Sequence, residues 1–238
     1  MTTAYPGAID AFTNPTSTDD LDTAGVELDV VVSNLNDAVE AIETELGTDP
    51  AGTWATVKAR LDDMEAGVWA PSDSGLLAAN FDPAAMAGST ALTINGTVYA
   101  MKLWTPAQIS VTNIVMHVNT AGATLTSGQN FAGLFDSSKA RVGTSADQST
   151  AWASTGLKTM ALASGPFNIS AGYFYVAVFA NGTTRPAFSR GSNIAVVNGA
   201  LSAANARWAS ADTGRTTSFP ATLGAFTAAS NAYWCGVS

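Results

Sequence analysis

Cysteine and histidine are nearly missing from this sequence, and their scarcity excludes several kinds of site. The single cysteine, Cys235, cannot form a disulfide within the chain or build a cysteine metal cluster. The single histidine, His117, excludes most histidine-based metal sites. No stretch reaches roughly 18 consecutive apolar residues, so no membrane-spanning segment and no membrane partner are expected. The first residues lack the basic start and apolar run of a signal peptide, so secretory export is not expected.

Charged residues are also scarce. They make up 12% of the 238 residues, whereas an average soluble domain has roughly 25%. Hydrophobic residues make up 47%, so disorder of the whole chain is not expected. The length suffices for one sizeable core with an extension.

The few charges divide the chain into two parts. Residues 1–66 hold 14 acidic side chains and two basic ones, whereas residues 67–238 hold five Asp, no Glu and eight Lys or Arg. Phosphate binding needs clustered cations, so no nucleic acid partner is expected. An acidic segment of this kind is either a solvated extension or a surface that meets a basic partner.

Heptad spacing of apolar residues predicts a short helical coiled-coil stalk over residues 25–66. One series runs from Gly25 to Leu46, and a shorter one follows it. We expect Gly47 and Gly67 to end the two helices and Thr53 to cap the second. The predicted oligomerisation residues are Leu28, Val32, Leu35, Val39, Ile42, Leu46, Trp54, Val57, Leu61 and Met64.

These helices are too short to be stable alone, so their apolar residues must pack on something. A short stalk before a β domain favours a homotrimer. The alternative is an intramolecular hairpin, in which the two helices pack on each other or on the β domain. Acidic residues flank the first series without a cation in that helix, which weakens self-association and indicates a basic neighbour: Asp29, Glu43 and Glu45.

Residues 1–24 are predicted to be an extended arm. Pro6, Gly7 and Pro15 interrupt any regular element there. Tyr5, Ile9 and Phe12 are spaced apolar groups that would insert into pockets of another protein. We therefore expect attachment to a partner through these side chains.

Residues 67–238 are predicted to form an antiparallel β-sandwich of the jelly-roll type, with a tighter barrel as the alternative. Short β-rich runs separated by turns give about eight strands. Asn95-Gly96 and Asn181-Gly182 predict two type I′ hairpin turns. The predicted strand runs are 92–94, 97–99, 109–118, 131–135, 157–162, 174–179, 194–197 and 233–237.

The β domain offers few groups for catalysis, so no enzyme activity, metal or cofactor is expected. His117 lies in a run with apolar residues on both faces, which favours a packed or partner-facing histidine. The five carboxylates lie in turn-like contexts where Asp commonly bonds nearby backbone: Asp73, Asp82, Asp136, Asp147 and Asp212.

Aromatic side chains in the β domain could supply a flat surface on which a sugar ring stacks. For any single tryptophan, a core position or a subunit contact is the commoner role. The predicted glycan contacts are Trp152, Trp208 and its neighbour Arg207. The wider set of aromatic residues also includes Trp104, Trp234, Tyr173, Tyr175 and Tyr233.

Three segments near the N-terminus resemble the N-terminal part of fibre proteins from tailed bacteriophages of actinobacteria: Tyr5–Pro15, Asn34–Gly47 and Thr56–Leu61. Two further segments, Ser127–Asp136 and Trp152–Leu157, are similar to the C-terminal heads of phage minor tail and head-fibre proteins.

This resemblance implies a structural virion protein, made in the host cytoplasm and carried on the capsid or the tail. The arm and coiled coil would then join a trimeric appendage to the major capsid protein or to tail proteins. The alternative is a minor tail protein that binds a receptor or carbohydrate on the host surface. A cell-wall hydrolase is disfavoured because no acid and base pair is recognisable.

Overall fold

The computed structural model describes residues 28–46, 50–66, 68–191 and 206–238. The described chain is mainly β and divides into two units, one ending at Val68 and one beginning at Trp69. No described helix is long and apolar enough to cross a membrane. The predicted arm, with Tyr5, Ile9 and Phe12, lies outside the described residues.

The first unit contains helices α1 (Leu28–Leu46) and α2 (Val57–Ala66). The N-cap of α2 is Thr56 and not Thr53, because Thr56 Oγ1 accepts a hydrogen bond from Ala59 N at 3.0 Å. Trp54, which the heptad spacing places within the second helix, therefore lies before the start of α2. The predicted end residues, Gly47 and Gly67, lie outside the described residues, as does the side chain of Leu28.

The heptad residues of α1 face solvent in the single chain. Five of them, which we call the apolar stripe, are 44% to 59% exposed: Val32, Leu35, Val39, Ile42 and Leu46. Asn34, on a different side of α1, is buried. The apolar stripe therefore lies on a solvent-exposed side of α1 in the single chain.

The second unit is built from sixteen short strands in the described residues, about twice the predicted number. All pairings are antiparallel. The strands are β1 (Ala78–Ala79), β2 (Gly88–Ala91), β3 (Tyr99–Thr105), β4 (Ile109–Val111), β5 (Asn113–Thr120), β6 (Ala123–Leu125), β7 (Phe131–Phe135), β8 (Arg141–Thr144), β9 (Gly156–Ala161), β10 (Phe167–Ile169), β11 (Gly172–Phe179), β12 (Gly182–Thr184), β13 (Ala187–Arg190), β14 (Trp208–Ser210), β15 (Thr227–Ala228) and β16 (Gly236–Val237).

These strands form two six-stranded sheets and two small pairs, so the described strands do not close into one barrel. The first sheet has β5 at its centre, with β9 on one edge. On the other edge of β5, strand β16 pairs with Ile114 and Val115, and β13 pairs with Val118 and Thr120. Beyond these lie β1 and β2. The second sheet has the order β15-β14-β3-β11-β7-β8, and the small pairs are β10-β4 and β12-β6.

The main core contains side chains from both large sheets. Met101 and Phe174 of the second sheet belong to the same buried cluster as Ile114 and Met116 of the first. Trp152, in a short 3-10 segment at Ala151–Ala153, is fully buried in it and packs edge-to-face on Phe188 at 5.2 Å between ring centroids. Apolar side chains on two facing sheets thus exclude water from one shared interior.

The second sheet is also covered on its outer face. Residues 211–226, which we call the covering segment, contribute Phe219, Leu223 and Phe226 to a second buried cluster. Phe219 packs edge-to-face on Phe179 of β11 at 4.8 Å. It also lies on Gly133 of β7, where an added Cβ would be 2.8 Å from the Phe219 ring.

Both predicted Asn-Gly hairpins are wrong, because each turn connects strands of different sheets. The turn at Asn95-Gly96 has a positive φ only at Gly96, whereas a type I′ turn needs it at both residues. Strand β2, before this turn, pairs with β13, and β3, after it, pairs with β11 and β14. After Asn181, strand β12 pairs with β6 and not with β11. The predicted run 194–197 lies outside the described residues.

We predict that Trp152→Ala destabilises the protein by about 3 to 5 kcal/mol, because truncating a fully buried aromatic ring leaves a large cavity. Urea unfolding at fixed protein concentration measures this. The control is Leu157→Ala, at an exposed position of β9, which should change stability by less than about 0.5 kcal/mol. Equal effects of the two changes would contradict the core assignment.

Candidate functional site

The outer face of the second sheet carries the candidate site. Alternation along β3 directs Met101 and Leu103 into the main core, so Lys102 and Trp104 lie on the outer face. In the β3–β11 ladder, Trp104 lies directly opposite Tyr173 and Lys102 lies directly opposite Tyr175. The register therefore brings two pairs of outward side chains side by side.

The covering segment protects only part of this face. Phe226 packs edge-to-face on Tyr175 at 5.3 Å, and Tyr175 is buried. Burial also raises the pKa of the Tyr175 hydroxyl above its ordinary value. Trp104 and Tyr173, one pair further along the ladder, are 53% and 56% exposed. The outer face of the sheet thus carries the exposed pair of Trp104 and Tyr173 next to the buried contact between Tyr175 and Phe226.

Two cations lie beside the exposed pair. Lys102 Nζ is 4.4 Å from the centroid of the Tyr173 ring, a cation–π contact. The backbone N–H of Lys102 donates to Arg207 O at 2.8 Å, which places Arg207 alongside β3. The guanidinium of Arg207 lies 4.9 Å from the Trp208 ring, and its Nη2 donates to Asn80 O at 2.8 Å.

These residues enclose a cavity of about 630 Å³, which we call the aromatic groove, lined chiefly by Asn80, Lys102, Leu103, Trp104, Tyr173 and Arg207. Buried Asn80 fixes its wall through hydrogen bonds to the C-terminal strand region. Asn80 Nδ2 donates to Tyr233 O at 2.7 Å, and Cys235 N donates to Asn80 Oδ1 at 3.0 Å. Among the described residues, no carboxylate lines the groove.

The structure separates the three predicted glycan contacts. Trp152 is a core residue, so its ring is not available to a sugar, which corrects that prediction. Trp208 is also buried, and its ring packs edge-to-face on Phe81 at 6.5 Å. Only Arg207 reaches the aromatic groove. Trp104 and Tyr173, which the sequence did not distinguish from the other aromatics, are the exposed rings.

The five carboxylates of the second unit hold local structure. Asp73 and Asp82 accept hydrogen bonds from backbone N–H groups within three residues. Asp136 accepts from Ser138 and from Ala140 N. Asp212 pairs with Arg215 at 2.9 Å and also accepts from Gly224 N. Each of these contacts stabilises a turn or a loop.

Asp147 supports the loop that precedes β7. Its carboxylate accepts hydrogen bonds from Asn130 N at 3.0 Å and from Ser149 Oγ. Burial acts to raise the pKa of Asp147. Hydrogen bonds from the Ser149 side chain and from backbone N–H groups, including that of Gly128, outweigh burial and hold the pKa below its ordinary 3.8.

His117 is half-buried on β5 and hydrogen-bonds through Nδ1 to Ser189 Oγ at 2.7 Å. Cys235 is fully buried, which raises the pKa of its thiol well above the ordinary range. In the part of the chain that the structure describes, no three histidine, cysteine or acidic side chains are grouped so that they could hold a metal ion.

Comparison with known proteins adds no relative: no protein-family model matches the sequence, and a search of curated proteins found no match.

We predict that Asp147→Asn lowers the melting temperature at pH 7 and that the difference from the unchanged protein narrows as the pH falls below 3.8. A folded-state pKa below the unfolded value means that the ionised carboxylate stabilises the fold, and this contribution is lost as Asp147 becomes protonated. Thermal unfolding between pH 7 and pH 2.5 measures it. A difference that does not change with pH would contradict the assignment.

Proposed function

We propose that this chain is a homotrimeric structural protein of the virion of a tailed actinobacterial phage, a head-fibre or capsid decoration protein. Residues 1–24 attach it, the helices of residues 25–66 trimerise it, and the β head of residues 67–238 faces solvent. The observation that carries the proposal is the exposure of the apolar stripe on α1. A surface with this spacing needs a partner of matching shape.

The apolar stripe fits association between copies of the chain. Its members are all branched aliphatic residues at a and d positions, spaced for knobs-into-holes packing. Full burial of one such side chain is worth about 1.5 to 3 kcal/mol, so burying five on each helix opposes the cost of association. Parallel packing of three copies covers the stripe without help from another protein.

The fold of the head supports the jelly-roll part of the proposal. Eight of the strands form two neighbouring sets: β1, β16, β5 and β9 lie side by side in one six-stranded sheet, and β3, β11, β7 and β8 lie side by side in the other. The chain changes sheets between most successive members of these eight strands. Two four-stranded antiparallel sheets interleaved in this way are typical of jelly rolls.

The length of the stalk favours the capsid over the tail as the place of attachment. Helix α1 has 19 residues and spans about 28 Å at 1.5 Å per residue. An adsorption fibre on a tail needs a longer reach. The major capsid protein is therefore the proposed partner, with tail proteins as the second choice.

The second candidate is a carbohydrate-binding minor tail protein. The aromatic groove favours it, because exposed aromatic rings beside cations suit a polar ligand with a flat apolar face. In either function the protein acts by binding and not as an enzyme, since the carboxylates of the head hold turns and loops.

We predict that Leu35→Asp combined with Ile42→Asp dissociates or unfolds the trimer, because each copy would bury two uncompensated charges. Sedimentation velocity measures the mass. The matched control is Ser33→Asp combined with Thr44→Asp, which adds the same charges on exposed positions away from the stripe. A monomeric unmutated protein would refute the trimer.

We also predict that three changes in the arm abolish incorporation into particles but leave a folded trimer. Each anchor is expected to contribute about 1.5 to 3 kcal/mol, multiplied by three copies per trimer. Quantitative mass spectrometry of purified particles measures the copy number. The changes are Tyr5→Ser, Ile9→Ser and Phe12→Ser, and the control set is Thr3→Ser, Thr13→Ser and Thr16→Ser.

If particles carry the protein with the altered arm at normal copy number, the attachment site must lie in the helices or in the head and not in the arm.

A further inference from the structure

We infer that the aromatic groove is a binding site for an acidic polysaccharide, in which a uronic acid ring stacks on Trp104 and Tyr173 and its carboxylate meets Lys102 and Arg207. The inference does not depend on the trimer or on attachment to a virion. It assigns a ligand class to a site built entirely within the β head.

The exposed ring pair is the stacking surface. Trp104 and Tyr173 lie directly opposite each other on neighbouring strands, so both project from one face of the sheet. Each is more than half exposed, although large aromatic side chains usually lose most of their surface on folding. The C–H groups on one face of a pyranose ring are weakly positive and complement the negative face of an aromatic ring.

The cations select for charge on the ligand. Lys102 Nζ lies over the Tyr173 ring at 4.4 Å, and this contact uses no hydrogen-bond acceptor, so its N–H groups can still donate to a ligand. Among the described residues, no carboxylate lines the groove beside Lys102. Because Lys102 Nζ lies over one face of the Tyr173 ring, the complementary anion must project directly from a sugar that stacks beside it. The C5 carboxylate of a uronic acid does so.

The groove has the size and rigidity of a preformed site. Its volume of about 630 Å³ lies within the range of roughly 300 to 1,000 Å³ that small-ligand pockets occupy. Its floor includes Leu103, a buried residue of β3. Its wall is fixed by Asn80, whose side chain makes two hydrogen bonds to backbone. Ligand binding therefore needs little ordering of the protein.

Single-stranded nucleic acid also stacks on aromatic rings, but the charges of the head favour a saccharide. A strand of several nucleotides needs a track of cations along its phosphates. The groove supplies two, Lys102 and Arg207, and Arg207 already donates to Asn80 O. Two cations suffice for the single carboxylate of one stacked uronate ring, whereas a strand of several nucleotides needs more.

The test is fluorine NMR of the full chain labelled with 5-fluorotryptophan, with Trp104 assigned from Trp104→Phe and Trp152 from Trp152→Phe. The probes are tetrasaccharides of glucuronate, galacturonate and mannuronate, each with its neutral hexose counterpart, and a single-stranded DNA octamer. We expect one or more uronate probes to shift the Trp104 resonance and to leave buried Trp152 unchanged.

Variants then separate stacking from charge. Trp104→Ala and Tyr173→Ala should each weaken uronate binding by about tenfold or more, because a stacked ring is lost. Lys102→Gln should weaken uronate binding by about tenfold and leave neutral sugars unaffected, since a charge-assisted hydrogen bond is lost. Leu157→Ala, at an equally exposed position of the first sheet, should change nothing.

Three outcomes would overturn the inference. They are no binding of any uronate at millimolar concentration, equal binding of uronate and neutral sugars, and a Trp104 shift by the DNA octamer alone. Sedimentation of the same samples measures the oligomeric state separately from binding. A trimer that binds no uronate would refute the uronate site and leave the proposed trimer standing.

Discussion

The register between β3 and β11 is the constraint on which the rest of the β head depends. Seven residue pairs, from Thr105–Gly172 to Tyr99–Val178, fix it. On one face this ladder supplies Met101 and Phe174 to the main core, and on the other it supplies Tyr175 to the cluster under the covering segment. A slip of one residue would exchange the two faces, expose the core residues and separate Trp104 from Tyr173. Core, covering segment and aromatic groove therefore form together.

Local sequence patterns predicted those features of the fold that local interactions determine. Heptad spacing located α1, and the run of β-forming residues at Phe131–Phe135 matches β7. The predicted N-cap of α2 was three residues too early. Thr53 and Thr56 have the same side chain, and only the backbone path determines which of them accepts the hydrogen bond from Ala59 N. The two Asn-Gly hairpin predictions were wrong because the strands beside these turns pair with distant parts of the chain. The residues around a turn do not reveal such non-local pairing.

The candidate site could not be read from the sequence for a related reason. Trp152 and Trp104 are equally plausible as surface aromatics until the fold places one in the core and the other beyond the covering segment. Strand alternation predicts that Lys102 and Trp104 share a face, but the outer face of the same sheet also buries Ala100 and Tyr175. A sheet covered on both faces over part of its length has no simple apolar and polar alternation. The site lies where that cover ends.

The chemistry of the two exposed apolar surfaces assigns them different partners. The apolar stripe consists of branched aliphatic side chains at heptad spacing, in a segment whose charges are mostly acidic. Aliphatic surfaces gain little from a polar ligand and most from one another, so the stripe suits a second protein surface that excludes water. The aromatic groove consists of rings beside cations in a part of the chain that is poor in acid. Rings of this kind accept a ligand that is apolar on one face and hydrated on the other. The proposed assembly through the helices and the proposed recognition through the head thus make separate chemical demands on different residues of the chain.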